Sequence, residues 1–190
     1  MSKSTILPCC LIAVSLLLFS PVASRAAVDM FLKIEGVKGE SQDSSHTDWI
    51  EILSYSHGVS QPSGGITSGG ARTAGRADHE DFTLTKYIDK STPILNLYCC
   101  NGRHIPKVEL ELAHVIGPKA VFYKVTLKDV MIVGVDVAGH KEDSPAFPIE
   151  TVRMSYGEIQ WQYTPSDEGT GGTTGSTVST GWSVVLDKEM

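Results

Sequence analysis

DFTLTKYIDKSTPILNLYCCNG, residues 81–102, changes its period half-way along. The first part alternates, with Phe82 and Leu84 on one face and Thr83, Thr85 and Tyr87 on the other. Alternation of period two is the pattern of a half-buried strand. From Ser91 the pattern turns helical. Ser91 or Thr92 offers a cap, Pro93 sits in the first turn where a missing N–H costs nothing, and Gly102 supplies the close. Ile94, Leu97 and Tyr98 share one stripe. About ten residues are too few for a helix to persist alone in water, so this one has to dock on a sheet.

Outward from this segment, strands dominate. Val28–Ile34 reads as a strand closed by Gly36, and Trp49–Ser56 as a second, rich in β-branched and aromatic residues. Between them Val37 to Asp48 is polar and without period, a long loop. Gly58 to Gly75 holds six glycines and too little apolar surface to order itself by packing. Beyond the helix, Lys107–Leu112 alternates polar and apolar throughout. Ala120 to Val137 is one bent strand or two strands meeting near Lys128 and Asp129, and Ile149 to Tyr163 is another long strand. A Gly/Thr/Ser linker over 166–180 leads to a last short strand at Trp182–Leu186. The expected fold is all-β: about seven strands in a β-barrel of two packed antiparallel sheets, with one short α-helix docked on the side.

The chain has 190 residues, enough for one domain with a core, and a formal charge of −6. No basic run is present, so nucleic acid is not an expected partner. Residues 1–26 differ from the rest. Lys3 precedes a long apolar run, Pro21 breaks it, and Ser24-Arg25-Ala26 resembles a cleavage site. This is the build of a secretory signal peptide. The run of about 14 residues is short of the roughly 20 that span a bilayer, so stable membrane insertion is not expected. Residues 27–190 then form a single domain. Without Lys3 and Arg25 the basic count falls from 16 to 14 against 22 acidic residues, a charge of −8. Cys9 and Cys10 leave with the leader. Cys99 and Cys100 are neighbours, ill placed to bridge each other, and read as small buried hydrophobes.

No chemistry is legible. Gly65 and Gly70 have the spacing of a P-loop's glycines, but Ala71 and Arg72 follow where Lys and Ser/Thr are required. The six histidines (46, 57, 79, 104, 114 and 140) never fall at i, i+2 or i, i+4, so no metal site is expected. No nucleophile elbow occurs. Glu109 and Glu111 share a strand face, which ordinarily means a solvated face. No catalytic, cofactor or metal residues are assigned, and the chain is not expected to be an enzyme. Long strands rich in Val, Ile, Phe and Trp, with few prolines to block their edges, point instead to self-association.

Several segments carry a family likeness. Ala27-Val28-Asp29-Met30-Phe31-Leu32-Lys33-Ile34 with Gly36-Val37-Lys38-Gly39-Glu40-Ser41 resembles the opening of the Hcp (haemolysin-coregulated protein) family. Phe82 through Pro93 resembles its strand-to-helix signature, Val125–Val130 its central strand, and Gly181-Trp182 its end. The resemblance covers residues 27–186. It implies a homohexameric ring of β-barrels that stacks into the inner tube of the type VI secretion system. It implies a sheath around the tube, a VgrG-type spike at its tip, and effector proteins in the lumen, as part of bacterial protein secretion and virulence. The subunit would assemble in the cytoplasm and be secreted by that machine, whereas a genuine leader over 1–26 would send it to the periplasm.

The family's long loop after the first strand reaches a neighbour, which maps here to 37–48. Val37, Lys38, Gly39, Glu40, Ser41 and Asp43 are therefore the expected inter-subunit residues. Ser54 and Ser56, small and polar on one strand face, are the expected lumen residues. The alternative is a periplasmic or secreted β-barrel binding module that forms no tubes.

Overall fold

The structure is a computed structural model and describes residues 28–62, 75–115, 117–139, 147–167 and 169–190. The expected leader over 1–26 and residues 63–74 of the glycine-rich stretch lie outside them. In chain order the elements are β1 (Val28–Ile34), β2 (Ile50–Glu51), β3 (Ser54–Ser56), β4 (Val59–Ser60), β5 (Asp78–His79), β6 (Phe82–Tyr87) and α1 (Thr92–Asn101). Then come β7 (His104–His114), β8 (Val121–Ala138), β9 (Ile149–Tyr163), β10 (Val178–Ser183) and β11 (Lys188–Glu189). The class is all-β with one helix, as expected.

Nine strands form one antiparallel sheet, and β4 and β5 form a separate two-stranded ribbon. In the large sheet β1 pairs with β7, β7 with β8, and β8 with β9 along almost its whole length. The far edge of β9 is shared. Ile149–Met154 pairs with β6, and Glu158–Tyr163 with β10. The division falls at Gly157, whose carbonyl accepts the amides of Val184 and Val185.

Residues 50–56 close the barrel. Ile50 and Glu51 pair with β1, whereas Ser54–Ser56 pair with β6. At the crossing the Ile52 amide donates to Met30 O on one side, and the Leu53 amide donates to Thr85 O on the other. The single strand expected over 49–56 is thus divided, because one segment has to serve both walls.

Length makes β8 bend. Asp129 takes a positive φ of 51°, and the register against β9 shifts between Ile132 and Gly134. An 18-residue strand cannot follow a closing barrel without such breaks. The bend lies where the two-strand alternative placed its junction, and the strand is single. The last strand differs from expectation. It begins at Val178, inside the expected linker, and residues 184–187 turn back into β11.

The helix packs on β8 with Leu95 and Tyr98 buried, while Ile94 and Leu97 are exposed. The expected stripe is therefore rotated. Ile94, Leu95, Leu97 and Tyr98 are all apolar, so the pattern allowed either phase, and the fit against β8 decides it. Ser91 occupies the cap position without capping, since its hydroxyl donates to Asp89 Oδ1 at 2.5 Å. Gly102 ends the helix at φ 63° as expected. Cys100 is exposed and Cys99 half-buried, so neither is the core hydrophobe expected. The core proper is Leu32, Ile34, Ile50, Phe82, Leu84, Ile105, Leu110, Val125, Leu127, Val152, Met154 and Ile159.

Candidate assembly surface around residues 37 to 49

Phe31 sits at the outward phase of β1, opposite Glu111 on β7. A phenyl ring on an outer face needs a cover, and the 37–49 loop supplies it. His46 stacks on Phe31 with ring centres 4.1 Å apart and planes within 7°, and Trp49 meets His46 edge-on at 4.9 Å. The two ring nitrogens of His46 face carboxylates, Asp43 at 2.9 Å and Glu111 at 3.0 Å.

The loop is also closed on itself. The Gly39 amide donates to Asp48 O at 2.7 Å, the Ser41 amide to Trp49 O, and the Asp48 amide back to Ser41 O. Gly39 is required there, because a Cβ would collide with the Trp49 carbonyl. At the helix end, Glu40 accepts the Lys90 amide at 2.9 Å, and Asp48 holds Lys38 at 2.8 Å and Lys90 at 3.4 Å.

Charges run in a chain beneath the loop. Lys107 and Lys124 each reach Glu109, and Lys124 also reaches Glu111. Glu111 meets His46, which meets Asp43, which meets Lys119 at 2.8 Å. Hydrogen bonds from Lys119 and then His46 hold the Asp43 carboxyl far below the usual carboxylate range, and Asp43 in turn raises Lys119. Burial pushes Glu109 up, but the bonds from Lys107 and Lys124 outweigh it and leave it lowered. Glu109 and Glu111 are thus members of an ion-paired network and largely buried, not the solvated face expected.

Of the expected interface residues, Val37, Gly39 and Ser41 are buried within their own subunit, and Asp43 is nearly so. Lys38 and Glu40 are exposed. Ser54 and Ser56 are exposed on β3, pointing away from the core, with the Ser54 hydroxyl 2.6 Å from that of Thr85. The sequence marked His46 only as a histidine without metal spacing and Glu111 only as a solvated carboxylate, and it did not mark Lys119. An aromatic Phe31 out of phase with Leu32 and Ile34 was the signal that something had to cover it.

Beside the loop lie two adjoining concavities of 370 and 280 Å³, sharing Glu51 and Tyr87. Asp29, Asp43 and Glu51 give the first an acidic wall. Val28, Leu53 and Tyr87 line it too, and all three are exposed.

The model of the family described as "Type VI secretion system effector, Hcp" matches residues 31–163. The chain belongs to the Hcp family. It is 38% identical over 159 residues to Protein hcp1 of Pseudomonas aeruginosa, covering 83% of this chain and 96% of that one. It is 25% identical over 144 residues to the Major exported protein of the same organism, covering 73% and 79%. Among solved structures, one described as a type six secretion system protein superposes with a TM-score of 0.80 at 27% identity, covering 86% of this chain and all of that one. Hcp1 from Salmonella typhimurium gives 0.72 at 28% identity, covering 86% and 99%. This Hcp chain has no helix among its described residues long and apolar enough to cross a membrane.

Proposed function

We propose that this Hcp chain is a ring-forming subunit of the type VI secretion inner tube, which stacks into a tube, carries or exports effectors, and works by self-assembly and not by catalysis. Its partners are further copies of itself in a homohexamer, stacked rings, the spike and sheath proteins, and effectors in the lumen. It assembles before being secreted by that machine.

The observation that carries this reading is the loop and the concavity beside it. A 12-residue polar loop is held rigid by its own amides and by buried ion pairs, at the border of a surface that combines apolar and acidic side chains. Rigid preorganisation lowers the entropy lost on docking, and apolar centres with charged rims are the anatomy of protein interfaces. A heterologous contact, in which one surface meets a different one on the next copy, closes rings. Lys38 and Glu40 would touch the neighbour, while Val37, Gly39, Ser41 and Asp43 keep the loop in shape for it. Ser54 and Ser56 would face the lumen.

Light scattering on a sizing column, with the chain from Ala27 onward, tests the reading. A mass near six subunits supports the ring, with stacked tubes to be sought by electron microscopy. Leu53→Asp, placed on the exposed concavity, should give a folded monomer. A wild-type chain that stays monomeric at high concentration would overturn the proposal.

A further inference from the structure

Two indoles line one cavity where β9 and β10 pair. Trp161 on β9 pairs with Thr180, and Trp182 on β10 pairs with Ile159, which is fully buried, so both rings lie on the inner face of the sheet. The β4–β5 ribbon lies opposite, and the gap between them is a cavity of 360 Å³ lined by Val59, His79, Trp161, Thr180, Trp182 and Glu189. His79 Nε2 and Trp182 Nε1 have no hydrogen-bond partner among the described residues.

The charges around the mouth have one prevailing sign. Glu189 lines it, Asp187 acts on His79, and Glu80 and Asp81 act on Tyr156. Arg76 opposes them with a positive charge that also acts on His79, and it donates to Val184 O. Burial lowers both His57 and His79, which favours their neutral forms. The Trp161 N–H is engaged by His57 Nε2 at 2.9 Å, so what this indole offers the cavity is its π surface. Indole π surfaces beside carboxylates attract organic cations.

We propose that this cavity binds an organic cation, a quaternary ammonium or a guanidinium, between Trp161 and Trp182 with Glu189 as counter-charge. A free small cation and an arginine side chain of a peptide share this recognition chemistry. This inference stands apart from ring formation, since the mouth is built within one subunit.

Titration of the purified protein with tetramethylammonium and, separately, N-acetyl-argininamide tests it, followed by the indole N–H signals of Trp49, Trp161 and Trp182 in NMR. Saturable shifts of Trp161 and Trp182, with Trp49 unmoved, are expected. Tetramethylammonium binding would identify a free small cation, and binding of the argininamide alone a peptide source. Glu189→Gln, on an exposed residue that pairs only at the sheet's edge, should weaken binding several-fold, and Trp182→Leu about tenfold. No saturable shift up to tens of millimolar, or equal shifts with N-acetyl-glutamate, would overturn the proposal.

Discussion

Lys86 Nζ and Glu150 Oε1 lie 2.6 Å apart, and neither side chain reaches solvent. They face each other across β6 and β9, at the inward phase that Phe82 and Leu84 also occupy. Lys86 Nζ donates further to Tyr87 O at 2.8 Å and Asp89 Oδ1 at 2.7 Å, and Thr92 Oγ1 donates to Glu150 at 2.9 Å. The pair therefore ties the end of β6, the turn at Asp89 and the start of α1 into one unit.

Breaking one side of that pair leaves a charge buried without its partner, which costs roughly 3–5 kcal/mol. Glu150→Leu and Lys86→Met are each expected to destabilise the fold by that order in urea unfolding. The double variant should recover much of the loss, because well-packed apolar residues can replace a buried pair at little cost. A double variant as unstable as the sum of the singles would contradict the pairing.

Acid should loosen the aromatic end of the barrel. His57 stacks on Phe82 at 5.6 Å and on Trp161 at 6.2 Å, and it accepts the Trp161 N–H, so it must be unprotonated there. Burial sets its folded pKa, and that of His79, below the ordinary value of 6.5. The unfolded chain then binds more protons just below pH 6.5, so stability is whole above that pH and falls as pH drops through the folded values. Thermal melts should shift down between pH 7.5 and 5. In His57→Gln, which keeps an acceptor for Trp161, the slope should flatten.

Asp43 has the same sign at lower pH. Its folded pKa lies below 3.8, so its contribution is whole above about pH 4 and is lost as pH falls further. Asp43→Asn should release Lys119 and weaken the hold on His46. Hydrogen exchange of the Ser41 and Asp48 amides is expected to quicken, while amides of β8 and β9 keep their protection.

Gly39→Ala probes the loop alone. The new Cβ meets backbone, the Trp49 carbonyl, which cannot swing aside as a side chain does. The expected loss is about 1–3 kcal/mol, together with loss of self-association measured by light scattering. Normal assembly by this variant would show that the loop's closed shape is not what the neighbour meets.

Much of this protein was already in its sequence. Phe82–Tyr87 alternates cleanly, Val28–Ile34 alternates in part and ends at Gly36, Ile149–Tyr163 is a long apolar-rich run, and Pro93 and Gly102 bound the helix, because local backbone preferences and a period of two or 3.6 act over a few residues. Tertiary structure decided what local pattern leaves degenerate. The helix, apolar on several sides, took its phase from β8. Residues 50–56 were divided because a closing barrel asks one segment to pair with both β1 and β6. Glu109 and Glu111 read as solvated charges until strands distant in sequence brought Lys124 within 3 Å, and nothing local marked Lys86 and Glu150 as a buried pair. The loop over Phe31 is likewise held by Glu111, 65 residues from His46. Contacts of that separation leave no trace in local periodicity, since they exist only once the chain has closed on itself.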